Sequence, residues 1–186
     1  MDVFEAIKNR RSIRRFIKKP VDDEKLLKIL DTSRWAPTAG NIQDIQLIVV
    51  RDEGRKLQLA EAAYGQYWLA AASALIVVSS KIDKVSRIYG KRGENLYSVQ
   101  NTAAAIQNMM VAAHALGIGS CWVGSFDEIA VERILKIPEK HNTVAIIALG
   151  YPAENPNPPH RYSLDSFIFV EEYGRKELKR KTTLFG

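Results

Sequence analysis

Seven basic side chains stand between residues 8 and 19 with no acid among them: Lys8, Arg10, Arg11, Arg14, Arg15, Lys18 and Lys19. With Asp2 and Glu5 counted, residues 1–20 carry +5 of the formal net charge of +6. The chain is basic because one segment is. Such a cluster holds something anionic, either the phosphate of a small ligand or that of a nucleic-acid backbone. A single arginine is usually a solvated surface group, but seven bases without an acid, in a segment that includes Phe16, favour ligand binding. Charge alone does not separate the two kinds of phosphate. The nucleic-acid reading ranks second because neither a recognition helix nor a stacking motif accompanies the segment.

Other chemistry is sparse. Cys121 is the only cysteine, which rules out an intrachain disulfide and any multi-cysteine metal site. A lone cysteine at a strand start reads as a small buried hydrophobe and is assigned no chemistry. His114, His141 and His160 lack metal-ligand spacing, so a metal enzyme is not expected. No G-x-G-x-x-G lies between a strand and a helix, so a nicotinamide cofactor would have to visit without a Rossmann site.

The elements that must position these residues follow from pattern. Hydrophobic residues make up 46% and charged residues 26% of 186, ordinary globular usage for one domain, 1–186. The apolar stretches Ala70 to Val78 and Thr143 to Gly150 fall well short of the roughly 20 residues that cross a bilayer. The N-terminus carries charges where a signal peptide needs an apolar run, so a cytoplasmic protein is expected. Asp2 before Val3, Phe4 and Ile7 predicts a short capped helix. Asp22 to Glu24 before Leu26, Leu27 and Leu30 predicts a second, which stops before Pro37. Ile45 to Val50 and Ala74 to Ser79 read as strands, with a helix over 53–63 between them. Lys81 to Gly93 reads as a polar excursion. Glu94 to Leu116 is the strongest helical signal, with Val99, Ala103, Ile106, Met110 and Ala113 on one face and many small residues. Ser120 to Val123 and Thr143 to Leu149 read as strands flanking a helix that Asp127 caps, and a proline-rich connection follows. Too few βαβ units occur for a doubly wound sheet, so an α+β fold is expected.

With these elements in place, Arg10-Arg11-Ser12-Ile13-Arg14-Arg15-Phe16 resembles the R-R-S-x-R-x-F signature of nitroreductase-like flavoproteins. Four further stretches match in family order: Ala36 to Gln43, the alanine-rich helix ending at Gly117-Ile118-Gly119, Cys121 to Phe126, and Gly150-Tyr151-Pro152 leading to Arg161. The resemblance covers nearly the whole chain. It implies a three-layer sandwich with a mixed, mainly antiparallel sheet and an intertwined homodimer holding two FMN sites.

The resemblance also implies roles. Arg10 and Ser12 would bind the FMN phosphate, with Arg11 nearby and Arg161 closing the site from the far side. Arg14 would reach the flavin ring where negative charge gathers on reduction, and so favour the reduced state. Pro37, Thr38, Asn41 and Gln43 would come from the other subunit, although Pro and Gly also suit an ordinary helix-ending turn. Val123 and Gly124 would offer backbone N–H groups to the ring. Many relatives carry an acid where Val123 stands; a backbone contact survives that change. Gln66 would meet the pyrimidine edge, and Tyr64, Tyr67 and Trp68 could cap the substrate side. The reaction implied is a ping-pong transfer of hydride from NADH or NADPH through FMN to a nitro or quinone-like acceptor, without a side-chain acid. Flavin reductases and dehalogenating enzymes are alternatives of the same fold.

Overall fold

The structure, a computed structural model, describes residues 1–176. The chain divides after Pro156 into two compact units. In the first, helices α1 (Val3–Asn9) and α2 (Asp23–Asp31) precede strand β1 (Ile45–Val50) and helix α3 (Glu53–Ala62). Strand β2 (Ala74–Lys81), helices α4 (Ile82–Arg92) and α5 (Ser98–Ala115), strand β3 (Gly119–Val123), helix α6 (Glu128–Leu135) and strand β4 (His141–Gly150) follow.

The strands are ordered β1-β2-β4-β3, and every ladder is antiparallel. The parallel component of the expected mixed sheet is an isolated bridge between Ser12 and Ser120. Alternating side chains of β2 and β4 feed two cores, as strand geometry requires. Ile76, Val78, Ala145 and Ile147 pack with Leu26 and Ile29 of α2 and Ile106, Met109 and Met110 of α5. On the other face Leu75, Val77, Ile146 and Ala148 pack with Leu59 and Ala60 of α3 and Val131 of α6. Both central strands are buried on both sides, which is why they read as continuous apolar runs. Three layers result, as expected.

The caps follow the sequence. Asp2 accepts from the Phe4 and Glu5 amides, Asp52 from Arg55, and Asp127 from Ala130. Two expectations are revised. The polar excursion after Lys81 is a helix, α4, held by buried Val85, with a kink at Gly90; a π-type turn, Gly93–Tyr97, joins it to α5. The buried residues of α5 are Ser98, Asn101, Thr102, Ala105, Ile106, Met109, Met110 and Ala113, so Ile106, Met110 and Ala113 are buried as expected while Val99 is 39% exposed. The apolar stripe drawn through Val99 and Ala103 was displaced because Ser98 and Thr102 satisfy their hydroxyls on helix carbonyls, Glu94 O and Ser98 O, and so enter the core without penalty.

Among the described residues no helix is long and apolar enough to cross a membrane. The second unit, taken by itself, has one helical turn at Leu164–Ser166 and a tilted ring pair, Phe169 and Tyr173, 4.5 Å apart.

Candidate active site

After α1 the chain becomes extended and runs along the outer edge of β3. The Ile13 amide donates to Ser120 O at 3.0 Å, the Ile17 amide to Tyr151 O at 2.8 Å, and the Ala153 amide to Arg15 O at 2.8 Å. Close approach makes this pairing feasible: a Cβ on Gly119 would stand 3.0 Å from Ile13, and one on Gly150 2.8 Å from Phe16. Extended backbone turns alternate side chains to one face. Ile13 is buried beneath Gly119, so Arg10, Ser12 and Arg14 fall together on the opposite set of positions.

Glu154 pins this strip, a role the sequence did not disclose. One carboxylate oxygen accepts from the Arg14 amide at 2.6 Å and the Arg15 amide at 3.0 Å. The contact joins residues 140 apart, and no local pattern announces it. Arg14 then carries its guanidinium over the Trp68 ring, 5.8 Å from the centroid, a cation–π contact that orients the planar fork. Arg11 behaves differently, donating to Lys8 O at 2.7 Å and Arg10 O at 2.9 Å, where it caps the carbonyl end of α1. Cys121 lies within reach of Arg14, Ser12 and Arg10. Burial pushes its thiol above the ordinary range against the pull of those groups, so it stays protonated near neutrality.

A cavity of about 230 Å³ opens beside the strip, bounded by Arg10, Ile13, His114, Gly119, Ser120 and Glu154. Ser120 is 1% exposed, and neither its Oγ nor His114 Nε2 has a hydrogen-bond partner among the described residues. Buried polar atoms normally find partners, so these two await a ligand or water. Cavities that enclose a drug-sized ligand begin near 300 Å³. This one admits a phosphate group and its first linkage, and a ring system would lie on the more open surface beyond.

His114 also sets a pH dependence. Burial first, then Arg10 and Arg11, lower its pKa. The unfolded chain takes up a proton near the ordinary value of about 6.5, whereas the folded protein resists to lower pH. The resulting stability is complete above that value and declines as pH falls through it. The expected result is that His114→Gln flattens the urea-denaturation stability profile between about pH 6.5 and 5 relative to the parent. Parallel profiles would show that His114 is well solvated.

On the surface beyond the strip, Gln66 donates both amide hydrogens, to Ala63 O at 3.0 Å and Ser125 O at 3.1 Å. Only its Oε1 can then serve a ligand, as an acceptor. The contact brings Gln66 to the segment that follows β3, where Val123 is buried and Gly124 exposed. A Cβ on Gly124 would meet nothing closer than Trp122 Nε1 at 3.8 Å, so no packing within the chain demands glycine there. Buried Lys56 donates to Ala72 O at 2.7 Å and fixes the far end of the Gln66–Ala72 stretch, another support that sequence reasoning missed.

Pro37, Thr38, Asn41 and Gln43 lie elsewhere. Their loop is tied to α5 through Asn101, near that helix's first turn, whereas His114 and the cavity lie at its last. The rise of an α-helix puts those anchors about 20 Å apart. Arg161 is exposed in the second unit, with Nη1 3.4 Å from His160 O.

The fold and site define a three-layer α+β protein with a cationic strip beside the edge of its sheet. The Nitroreductase family profile matches residues 7–72 and 54–151. The chain is 37% identical over 162 residues to a Methanothermobacter thermautotrophicus protein provisionally named NADH dehydrogenase/NAD(P)H nitroreductase, covering 84% of this chain and 80% of that one. It is 32% identical over 195 residues to a Thermus thermophilus NADH dehydrogenase, covering 90% and 95%. Among solved structures, the NADPH:FMN oxidoreductase of Vibrio harveyi complexed with NAD+ superposes with a TM-score of 0.85 at 23% identity, over 92% of this chain and 77% of that one. The chain belongs to the nitroreductase family.

Proposed function

We propose that the chain is an FMN-dependent homodimeric oxidoreductase that moves electrons from NADH or NADPH to nitro or quinone-like acceptors. The coarser activity is that of its family, an NAD(P)H-dependent oxidoreductase. The observation that carries the finer reading is the extended strip, which sets Arg10 on the wall of a phosphate-sized cavity with two unpartnered polar atoms, and Ser12 and Arg14 at alternate positions further along it. This donor set fits FMN: guanidinium and hydroxyl groups for the phosphate, and open surface for a ring.

When bound, the flavin supplies the redox chemistry itself. Arg10, Ser12, Ser120 and neutral His114 would anchor the phosphate. Arg14, steadied by Trp68 and by Glu154 on its backbone, places a positive charge at the ring's pyrimidine edge. The Val123–Gly124 backbone offers N–H donors there, and Gln66 an acceptor. Pro37, Thr38, Asn41 and Gln43 of the second chain cover the ring and exclude water. The 20 Å separation along α5 supports this two-chain site. So do the partly exposed Val99 and the exposed Val3 and Ile7 of α1, which an obligate interface of more than roughly 2,000 Å² would cover.

The purified protein is expected to be yellow, to release FMN on denaturation, and to sediment as a flavin-loaded dimer. A stable flavin-loaded monomer would overturn the two-chain site. Failure to bind added FMN, together with tight, steeply salt-dependent binding of nucleic acid, would replace this reading by the nucleic-acid one.

A further inference from the structure

We propose that Asp44 and Asn101 are positioning residues for the loop Pro37–Gln43, acting through a buried chain of hydrogen bonds from Ser80 to the Ala39 amide. The proposal rests on the reading above in which that loop meets the flavin. Asp44 is fully buried and Asn101 is 4% exposed. The Asp44 carboxylate accepts from Ser80 Oγ and, at 2.7 Å, from Asn101 Nδ2. Asn101 Oδ1 in turn accepts from the Ala39 amide at 2.9 Å.

These partners leave the Asn101 carboxamide one orientation. A backbone N–H only donates, so Oδ1 must face Ala39, which leaves Nδ2 to donate to Asp44. Asp44 therefore acts on the loop by fixing its neighbour. Ser80 stands opposite Ile45 in the β1–β2 ladder, and the Lys81 amide donates to Asp44 O at 2.8 Å. The chain of contacts thus starts from rigid sheet.

What it holds needs holding. Gly40, Asn41 and Gln43 all have left-handed backbone, with φ of 56°, 55° and 53°. Such conformations at non-glycine residues persist where the surroundings over-determine them. The loop's own bonds, Gln43 amide to Thr38 Oγ1 at 3.1 Å and Gln43 Nε2 to Asn41 Oδ1 at 3.2 Å, shape it internally. The Ala39 bond ties that shape to α5. A buried carboxylate adds little net stability compared with a well-packed apolar residue, whereas it does give the loop a fixed address.

The test uses the full-length protein with three substitutions: Asn101→Leu, Asp44→Asn and Ala39→Pro. Two quantities are measured, amide hydrogen exchange across residues 38–43 without flavin, and FMN affinity by fluorescence titration. Asn101→Leu is expected to speed loop exchange and weaken FMN binding by about tenfold or more, with far-UV circular dichroism unchanged. Asp44→Asn can still accept from Asn101 and donate to Ser80, and is expected to stay within about threefold of the parent. Ala39→Pro suits the first residue of its turn, removes the donor that Asn101 accepts and puts a ring carbon in its place, so that the anchor cannot form. It should reproduce the loss, and it decides the matter should Asn101→Leu fail to fold. Unchanged exchange and affinity in Ala39→Pro, or in a folded Asn101→Leu, overturn the proposal. If the parent itself binds no FMN, the flavin reading fails and this inference with it, while the flavin-free exchange data still report whether the anchor exists.

Discussion

Arg10→Ala protein is expected to lose FMN where the parent retains it, with affinity weaker by about 1.5–3 kcal/mol, roughly 10- to 150-fold in Kd. The size follows from position. Arg10 is half-buried on the wall of a small cavity, where a charged hydrogen bond is screened less than at an open surface. Arg11 also borders the cavity, but its Nη1 is engaged by the Lys8 and Arg10 carbonyls at the end of α1, so it can replace Arg10 only in part. His114 stays neutral beside it and supplies no second cation. Arg10→Lys should recover part of the loss, since charge returns without the planar fork. Titration of flavin-stripped protein gives the answer, and an unchanged Kd would mean that the cavity does not receive the phosphate.

Arg14→Ala should act on electron affinity and spare retention. Reduction places negative charge at the flavin's pyrimidine edge, so a fixed cation there stabilises the reduced form more than the oxidised one. Arg14 is solvent-exposed, which moderates the effect to about 1–2 kcal/mol, or roughly 20–45 mV for a two-electron couple. The potential of flavin-saturated Arg14→Ala is expected to fall by that amount, that of Arg10→Ala to remain near the parent value, and that of Arg14→Lys to lie between. Equal potentials in the parent and Arg14→Ala would show that Arg14 does not stand against the ring, and the placement of the whole 10–16 strip on the flavin would have to be withdrawn.

The parts legible in the sequence were those with local causes. Ile45–Val50 reads as a strand from its β-branched run, and the α6 start reads from Asp127, which does cap it. The basic strip was visible because charge needs no folding to be counted. Helix α4 was obscured by its polar surface and by Gly90, although Val85 anchors it. The supports of the site stayed hidden for a common reason: Glu154 to the Arg14 amide, Asn101 to the Ala39 amide and Gln66 to Ser125 O join residues 140, 62 and 59 apart. Each is a side chain meeting a backbone group. Backbone groups are the same at every position, so sequence carries no complementary signal for such pairs. The ligand-facing residues are named by type, and those that hold them in place emerge only from topology.

Helix α5 has a consequence for how chains of this kind can change in length. It bears the loop anchor at one end and the cavity wall at the other, so in the proposed two-fold dimer it would gauge both flavin sites at once. One residue inserted between Asn101 and His114 would turn its ends against each other by about 100° and lengthen it by about 1.5 Å. Four inserted residues would nearly restore the phase yet part the ends by about 6 Å. Symmetry would impose either error twice, once in each site. Insertions and deletions are therefore expected outside this helix, for instance on the exposed surface of α4, which carries none of the site's supports.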